Sequence, residues 1–259
     1  MRFSVIIPAW NEGPQIGSSL KRLREISDET AMEIILVDGG STDKTVELAR
    51  PWVDRVQSLA SPNRGAQLHA GAKAATGDLF LFLHADTQPP DNWQERLEKY
   101  WLKTRTTPLA ATVFSVDYGT RSTFRMVAAC QNLRAKWFQL AYGDQGFCVS
   151  AEMYAKTGGF PEIPLMEDVE FCRRLRPFGA IDLLPERIRP SARRLRRSGA
   201  VINTIFNQWI FLRYALGADP KTLWDRYYAR ALADPPKQPV APADPDKHPF
   251  AYLRKKKAR

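Results

Sequence analysis

The sequence is poor in cysteine, and the few cysteines present argue against a disulfide or zinc framework. The chain contains only Cys130, Cys148 and Cys172. They are odd in number, far apart and without the spacing of metal ligands, so we expect small buried thiols in a reducing compartment. We also expect no secretory leader, because Met1 runs directly into a strand-like segment.

Long apolar runs are lacking as well. The best candidate for a membrane span, residues 198–212, is uncharged but contains three side-chain amides and is shorter than the ~20 residues that a spanning helix needs. We therefore expect a cytoplasmic protein. Aromatic residues such as Trp209, close to arginines, leave open a peripheral contact with the inner face of the cell membrane. We favour packing of this segment against the rest of the protein or a second subunit, and the oligomeric state stays open.

Acidic residues are the minority among the charged residues. The chain has 28 acidic and 38 basic residues, a net charge of +10, and the basic residues cluster at 187–197 and 254–259. Such clusters attract the phosphates of nucleic acids, anionic membranes or nucleotide substrates. Because 44% of the residues are hydrophobic, most of the chain can fold around a sizeable core.

The first half alternates between strand and helix periodicity. Strands are predicted at Phe3–Ile7, Glu33–Val37 and Leu79–Leu83, with a weaker one at Arg55–Leu59 and helical patterns between them. This order predicts an α/β fold with a mostly parallel central sheet flanked by helices, whose ligands gather at the carboxyl ends of the strands. Further helices are predicted at 122–140, 167–175, 201–216 and 220–232.

Two polar loops follow neighbouring strands of this predicted sheet. Pro8-Ala9-Trp10-Asn11-Glu12 ends the first strand and Asp38-Gly39-Gly40-Ser41-Thr42-Asp43 ends the second. Glycines let a backbone approach a ligand, and a carboxylate at a strand end can accept hydrogen bonds from a base or ribose. Each loop alone also fits an ordinary turn in which Ser41 or Thr42 caps a helix. Together they predict a crevice.

A third acidic loop follows the next apolar strand. In His84-Ala85-Asp86 the aspartate is well placed for a hard cation such as Mg²⁺ or Mn²⁺. The alternative is that Asp86 merely opens a turn. His84 could ligate the same ion, although we favour a histidine that is hydrogen-bonded at the sheet edge.

Three further segments are polar and precede a helix or strand. Asn63-Arg64-Gly65 opens a helix and could face an anion. Glu167-Asp168 also opens a helix and offers a general base, although the helix dipole favours carboxylates there in any case. Gly143-Asp144-Gln145-Gly146 suits contacts with an acceptor, or a simple turn.

Five of these segments, in their order and separation between Phe3 and Leu175, resemble the inverting glycosyltransferase family 2, which has the Rossmann-like GT-A fold. They lie at 5–12, 37–43, 63–65, 84–86 and 167–168. The resemblance implies a transferase that moves a sugar from a nucleotide-diphosphate donor to a hydroxyl acceptor, with Mn²⁺ or Mg²⁺ as cofactor. The implied catalytic base is Asp168, with Glu167 beside it. Asp86 would bind the metal, with His84 standing where the family usually has an aspartate.

The resemblance also assigns the binding residues. The implied nucleotide-binding residues are Pro8, Ala9, Asn11, Glu12, Asp38, Gly40, Ser41, Arg64 and Ala85. Asp144 and Gln145 would contact the acceptor, which is left open as lipid-linked. Arg193 and Arg194 would bind phosphate.

The implied organisation is a GT-A catalytic domain followed by a C-terminal helical extension and a tail. The ranges are 1–198, divided at 117/118 into nucleotide-sugar-binding and acceptor-binding halves, then 199–233, and a proline-rich basic tail at 234–259. A nucleotidyltransferase remains an alternative, but 8–12 has no basic residue to grip a triphosphate. A nucleic-acid-binding module is the other; we expect no nucleic-acid partner, because the strand-end acids would repel it.

Overall fold

The computed structural model describes residues 1–103 and 106–233. Within these residues the strands are β1 (Phe3–Ala9), β2 (Met32–Asp38), β3 (Arg55–Ser58), β4 (Leu79–Phe82), β5 (Thr87–Gln88), β6 (Leu109–Val116), β7 (Phe147–Ser150) and β8 (Ala180–Pro190). The helices are α1 (Gly13–Glu25), α2 (Thr45–Ala49), α3 (Arg64–Ala74), α4 (Trp93–Leu102), α5 (Ser122–Phe138), α6 (Ala151–Thr157), α7 (Glu167–Leu175), α8 (Arg193–Ser198), α9 (Ala200–Ala215) and α10 (Pro220–Ala233).

The strands form one sheet with two differently built halves. The order is β3-β2-β1-β4-β7-β6-β8-β5. The first four strands pair in parallel, whereas β7 runs antiparallel to both β4 and β6, and β8 runs parallel to β6. The predicted sheet with flanking helices and a C-terminal helical extension is confirmed. The long strands β6 and β8 were not predicted.

Burial explains why the parallel half forms. Every residue of β1 and β2 is buried, as expected for parallel strands covered on both faces. Val5 and Ile7 pack on one side of the sheet and Ile6 packs on the other. The predicted apolar stripe of α1 covers the first side, with Ile16 among its buried residues and proline in its first turn.

An aromatic cluster on the other side fixes the position of α7. Phe82 of β4 lies 4.9 Å from Phe160 between ring centroids, and Phe160 stacks on Phe171 of α7 at 4.0 Å. Phe171 is completely buried, and its burial contributes about 1.5–3 kcal/mol. The start of α7, where Glu167 and Asp168 lie, is therefore held by packing against β4.

Local details differ from the predictions. Neither Ser41 nor Thr42 caps a helix, because α2 begins only at Thr45, whose N–H donates to Asp43 Oδ1 at 2.9 Å. Cys130, predicted to be buried, is exposed, while the other two cysteines are buried.

The chain divides into two compact units, Met1–Trp224 and Asp225–Arg259. The proposed boundaries at 117/118 and 198/199 stay predictions, and the tail 234–259 lies outside the described residues. Among the described helices, none is both long and apolar enough to cross a bilayer.

Candidate functional site

The loops after β1 and β2 interlock at the carboxyl edge of the parallel strands. Ala9 is in register with Asp38. The Asn11 N–H donates to Ser41 Oγ at 2.9 Å, and Asn11 Oδ1 accepts from the Thr42 N–H at 2.9 Å. Asn11 adopts a left-handed conformation with φ of 53°, which asparagine tolerates better than most residues. The two predicted nucleotide loops are therefore joined to each other. We call the carboxyl edge of β1, β2 and β4, with the loops at 8–12, 38–43 and 84–86, the donor edge.

The Asp38 carboxylate shapes the second loop from within. Its Oδ2 accepts from the N–H groups of Gly40 at 3.1 Å and Ser41 at 3.0 Å, and its Oδ1 accepts from the Ser41 hydroxyl. Asp38 is buried. These local hydrogen bonds offset the cost of burying the carboxylate, and they fix the shape of the loop.

Gln67 of α3, which was not predicted as a site residue, supports both loops through hydrogen bonds to the backbone. Gln67 of α3 is buried, and its Nε2 donates to the carbonyls of Ala9 at 2.9 Å and Val37 at 2.8 Å. Pro8 and Ala9 are buried above it. The available signal was an amide side chain on the apolar face of α3.

Two acids from different loops meet at one arginine. Arg193 Nη2 lies 3.2 Å from Glu12 Oε2 and 3.2 Å from Asp86 Oδ2. The pairing of β5 with β8 brings this segment in, because Ser191 N–H donates to the Asp86 carbonyl at 3.1 Å. Burial and the neighbouring Asp86 raise the pKa of Glu12, against the effect of Arg193.

The remaining predicted ligands of this edge are placed by packing. Ala85 is buried in the core. A side chain added at Gly143 would meet His84 Nε2 at 2.5 Å, so the histidine ring lies against that loop. No group of three or more His, Cys, Asp or Glu side chains within 1–103 and 106–233 is arranged to hold a metal ion. The side chain of Arg194 lies outside the described part.

The Asn63-Arg64-Gly65 motif connects the donor edge to the loop before α7. Gly65 N–H donates to the Ile163 carbonyl at 3.2 Å, and a Cβ at Gly65 would lie 1.9 Å from the Pro161 carbonyl oxygen. Arg64 Nη1 lies 3.6 Å from Glu167 Oε1. Only glycine permits this approach, so the motif positions the start of α7.

Glu167 and Asp168 sit in different environments at that helix start. Glu167 is 2% exposed. Burial raises its pKa to about 7, Arg64 opposes the rise, and Asp168 adds to it. Asp168 Oδ2 accepts from Gly143 N–H at 2.9 Å and its Oδ1 from Val169 N–H at 2.7 Å. Burial raises the pKa of Asp168 despite these bonds. A carboxylate of raised pKa suits proton removal near neutral pH.

Asp144 has a buried carboxylate group, and only one of its two oxygens accepts a hydrogen bond from the described residues. Its Oδ2 accepts from the Tyr118 hydroxyl, while Oδ1 has no hydrogen-bond partner among the described residues. Burial raises the pKa of Asp144, and the charges of Asp168 and Asp86 raise it further. Gly143, next to Asp144, bonds to Asp168 and lies against the ring of His84, so the loops that carry Asp86, Asp144 and Asp168 adjoin one another. We call the region between these loops the groove, and its part around Asp144 and Asp168 the acceptor side.

Gln145, predicted beside Asp144, is fully buried and has both ends of its amide bonded to the backbone. Its Nε2 donates to the Phe114 carbonyl at 3.3 Å and its Oε1 accepts from Tyr142 N–H at 3.3 Å. In this arrangement it braces the loop. Its contact with an acceptor stays a prediction.

Four residues of the groove were not predicted as site residues. Tyr118 bonds to Asp144, the Arg134 guanidinium lies 3.3 Å from the centre of the Tyr142 ring, and Gln208 of α9 hydrogen-bonds the Tyr142 side chain. They come from the loop after β6, from α5, from the loop before β7 and from α9. No local pattern marks them, apart from the polar side chains on otherwise apolar helices.

Sequence relatives point to one class of enzyme. The chain is 33% identical over 109 residues to the uncharacterized glycosyltransferase YkcC of Bacillus subtilis, covering 39% of this chain and 34% of that protein. It is 36% identical over 103 residues to the undecaprenyl-phosphate 4-deoxy-4-formamido-L-arabinose transferase of Edwardsiella ictaluri, covering 36% and 32%. The matches span about a third of each relative's length.

Solved structures share the fold. The mannosyltransferase PcManGT of Pyrobaculum calidifontis, in complex with GDP-Man and Mn²⁺, gives a TM-score of 0.59 at 20% identity over 89% of this chain and 69% of that one. The glucosyl-3-phosphoglycerate synthase of Mycobacterium tuberculosis, in complex with Mn²⁺, UDP and glucosyl-3-phosphoglycerate, gives 0.55 at 21% identity over 82% and 79%.

The family model described as "Glycosyl transferase family 2" matches residues 4–156. That range is more than half of the chain and includes β1 to β7, with both donor-edge loops, the Asp86 loop and Asp144, but it ends before Asp168. Since the match covers more than half of the chain, including the interlocked loops and Asp144, the chain belongs to glycosyltransferase family 2.

Proposed function

We propose that the chain transfers a sugar from a nucleoside-diphosphate donor to a hydroxyl acceptor, with inversion at the anomeric carbon and with help from a divalent cation. The observation that supports this most is the approach of the loops that carry Asp86, Asp144 and Asp168, beside the interlocked loops after β1 and β2. Burial raises the pKa of both Asp144 and Asp168, and buried carboxylates of raised pKa are typical of functional sites.

The donor edge suits a nucleotide. We assign the nucleotide to Pro8, Ala9, Asn11, Glu12, Asp38, Gly40, Ser41, Arg64 and Ala85. The loops are pre-shaped by their own hydrogen bonds, so binding would require little further ordering.

Asp86 and Glu12 fit a cation, because the same Arg193 nitrogen already lies 3.2 Å from an oxygen of each. A protein that offers only one or two carboxylates suits Mg²⁺ or Mn²⁺, which commonly take their other ligands from phosphates and water. We keep Asp86 as the ligand and give His84 a packing role. When bound, the cation would neutralise charge on the departing diphosphate. Arg193 would then move from the acids to the phosphates.

The remaining steps need only residues of the acceptor side. Asp168 accepts the proton of the acceptor hydroxyl, the oxygen forms a bond to the anomeric carbon, and the bond to the diphosphate breaks with its electron pair on the phosphate oxygen. Glu167, held by Arg64, keeps Asp168 in place. Asp144 Oδ1 is available to orient the acceptor.

The place in the cell belongs to the same proposal. One relative is named for undecaprenyl-phosphate, which supports a lipid-linked acceptor reached from the cytoplasmic face of the membrane.

A thermal-shift screen of UDP-, GDP- and dTDP-sugars with and without Mn²⁺ tests the proposal. We expect one base to raise the melting temperature, and more so with Mn²⁺. The Asp86→Asn variant should lose the Mn²⁺-dependent part, while Asp91→Asn, on an exposed aspartate paired with Arg22, should keep it. If no nucleotide sugar stabilises the wild-type protein, the proposal is wrong.

A further inference from the structure

Helix α5 exposes an apolar stripe that its sequence pattern does not explain. Leu133 and Trp137 are among the apolar positions of this helix, yet they are exposed together with Met126 and Phe138, Trp137 by 70%. Met126, Leu133 and Trp137 are spaced by seven and four residues and so share one face of the helix. The buried face of α5 lies elsewhere, at Phe124, Val127 and Ala135. We call the exposed set the α5 stripe.

Helix α9, which packs against α5, exposes a second stripe. Ile202, Ile205, Trp209, Leu212 and Leu216 follow one another at intervals of three and four residues, and all five are exposed, Leu216 by 75%. This α9 stripe lies on one helix face. Single apolar residues scattered over a surface are normal, whereas two helices in contact that both expose an apolar stripe mark an interaction surface.

The helices that carry the stripes lie in segments without acidic residues, although Glu170 of α7 accepts a hydrogen bond from Tyr214 of α9. Residues 118–143, which contain α5, and residues 187–218, which contain α8 and α9, include no aspartate or glutamate, although the chain has 28 acidic residues. The exposed basic residues there include Arg121, Arg125, Lys136, Arg196, Arg197 and Arg213. Apolar stripes beside basic residues match an anionic bilayer, where side chains enter the headgroup zone and cations meet lipid phosphates.

A second copy of the chain fits this surface less well. A symmetric contact would bring the same basic residues of two copies together without an acid to neutralise them, which is unfavourable. The tail 234–259 is itself basic overall, with seven basic and three acidic residues, and would be repelled in the same way.

The two helices also reach the groove. Arg134 of α5 lies over the Tyr142 ring, and Gln208 of α9 hydrogen-bonds the Tyr142 side chain. The next residue, Gly143, donates to Asp168 Oδ2. The stripe-bearing helices therefore adjoin the acceptor side of the groove.

We propose that the α5 and α9 stripes dock the protein on an anionic lipid surface, so that the acceptor side of the groove lies at the membrane. The part of this inference that concerns the acceptor rests on the proposed transferase function. The docking itself does not, and it can be measured without any donor.

Vesicle flotation of the full chain tests the docking. We expect binding to vesicles of phosphatidylcholine mixed with phosphatidylglycerol, and much weaker binding to phosphatidylcholine alone or at high salt. Trp137→Ser and Ile205→Ser should each lower the partition constant by about tenfold, since each removes apolar area that enters the lipid. Leu102→Ser, on an equally exposed leucine of α4, is the matched control and should bind as the wild type does.

Three results would overturn the inference. They are absence of wild-type binding to anionic vesicles, unchanged binding of both stripe variants, and a wild-type dimer in solution that the stripe variants convert to a monomer. Thermal shifts with nucleotide sugars on the same proteins separate the two proposals. Stripe variants that lose vesicle binding should keep the donor response, and a protein that binds vesicles but no nucleotide would refute only the transferase function.

Discussion

The donor edge and the acceptor side of the groove differ in how well hydrogen bonds compensate the burial of their carboxylates. On the donor edge, Asp38 accepts three hydrogen bonds within its own loop. On the acceptor side, one buried oxygen of Asp144 has no partner among the described residues, and burial raises the pKa of Asp144, Glu167 and Asp168. The first arrangement stabilises a shape, whereas the second is costly and favours reactivity.

The two regions also differ in the contacts that determine their shape. Donor-edge contacts mostly join loops that follow adjacent parallel strands, so the sheet register aligns these loops, and Gln67 and Arg193 add contacts from elsewhere in the chain. Acceptor-side contacts join residues from α3, α5, α7 and α9 that only tertiary packing brings together. We therefore expect substitutions on the acceptor side to change chemistry, and those on the donor edge to change binding.

The strongest test of this division is Asp168→Asn. The amide keeps the size of the side chain but cannot remove a proton, so the transfer rate should fall by about 10²–10⁴-fold. Nucleotide binding should persist, because no donor-edge residue is altered. The measurements are release of nucleoside diphosphate in the presence of acceptor and thermal shift with the donor.

Asp91→Asn is the control for that substitution and should transfer at the wild-type rate. Equal loss of binding and transfer in Asp168→Asn would contradict the division between the two regions. Full activity would remove Asp168 from the role of base.

Gly65→Ala would break the link between the two regions. A methyl group there meets the Pro161 carbonyl at 1.9 Å, and backbone must shift to relieve the clash. We expect a loss of about 1–3 kcal/mol in the free energy of unfolding, together with weaker transfer because Arg64 moves away from Glu167. Chemical denaturation with an activity assay measures both.

Gly17→Ala is the matched control, since its Cβ would meet no atom closer than 3.4 Å and alanine favours helices. The link is refuted if the two variants unfold at the same denaturant concentration.

Arg193→Ala should sharpen the comparison on the donor edge with a smaller effect. The guanidinium neutralises Glu12 and Asp86 when no ligand is bound, and we propose that it binds phosphate afterwards. Without it, Mn²⁺ alone should bind several-fold more tightly, since two acids are freed, whereas the nucleotide sugar should bind more weakly.

Calorimetric titration with Mn²⁺ and with the donor gives both numbers. Arg96→Ala removes a comparably exposed arginine paired with Glu186 and should change neither. Parallel changes of both affinities in the Arg193 variant would count against an exchange of partners.

The same contrast explains what the sequence could predict. The strands β1, β2 and β4 were predicted because their buried runs and following loops are local patterns. Strand β8 was not, because its alternating buried and exposed residues include Pro185 and several charged residues. The amphipathic pattern of α5 indicated a helix, but not that Leu133 and Trp137 face outward. Tyr118, Tyr142 and Gln208 enter the groove through long-range contacts, which no motif encodes.

The smallest expected effect concerns pH and again separates the two regions. Burial raises the pKa of Glu167 from 4.5 to about 7. Between these values the folded protein keeps a proton that the unfolded chain has lost, so the free energy of unfolding falls as pH rises. One such group contributes a slope of at most about 1.4 kcal/mol per pH unit. Burial raises the pKa of Asp168 as well, so Asp168 adds to the slope in the same direction.

Glu167→Gln cannot titrate and should lose this part of the slope, so the stability difference between wild type and variant should change steadily from pH 4.5 to 7. Denaturant unfolding at several pH values measures it. Glu95→Gln, on an exposed glutamate paired with Lys99, should parallel the wild type. A Glu167→Gln curve that also parallels the wild type would mean that Glu167 is already ionised in the folded protein. In that case Arg64 would outweigh burial, and the acceptor side would be as well compensated as the donor edge.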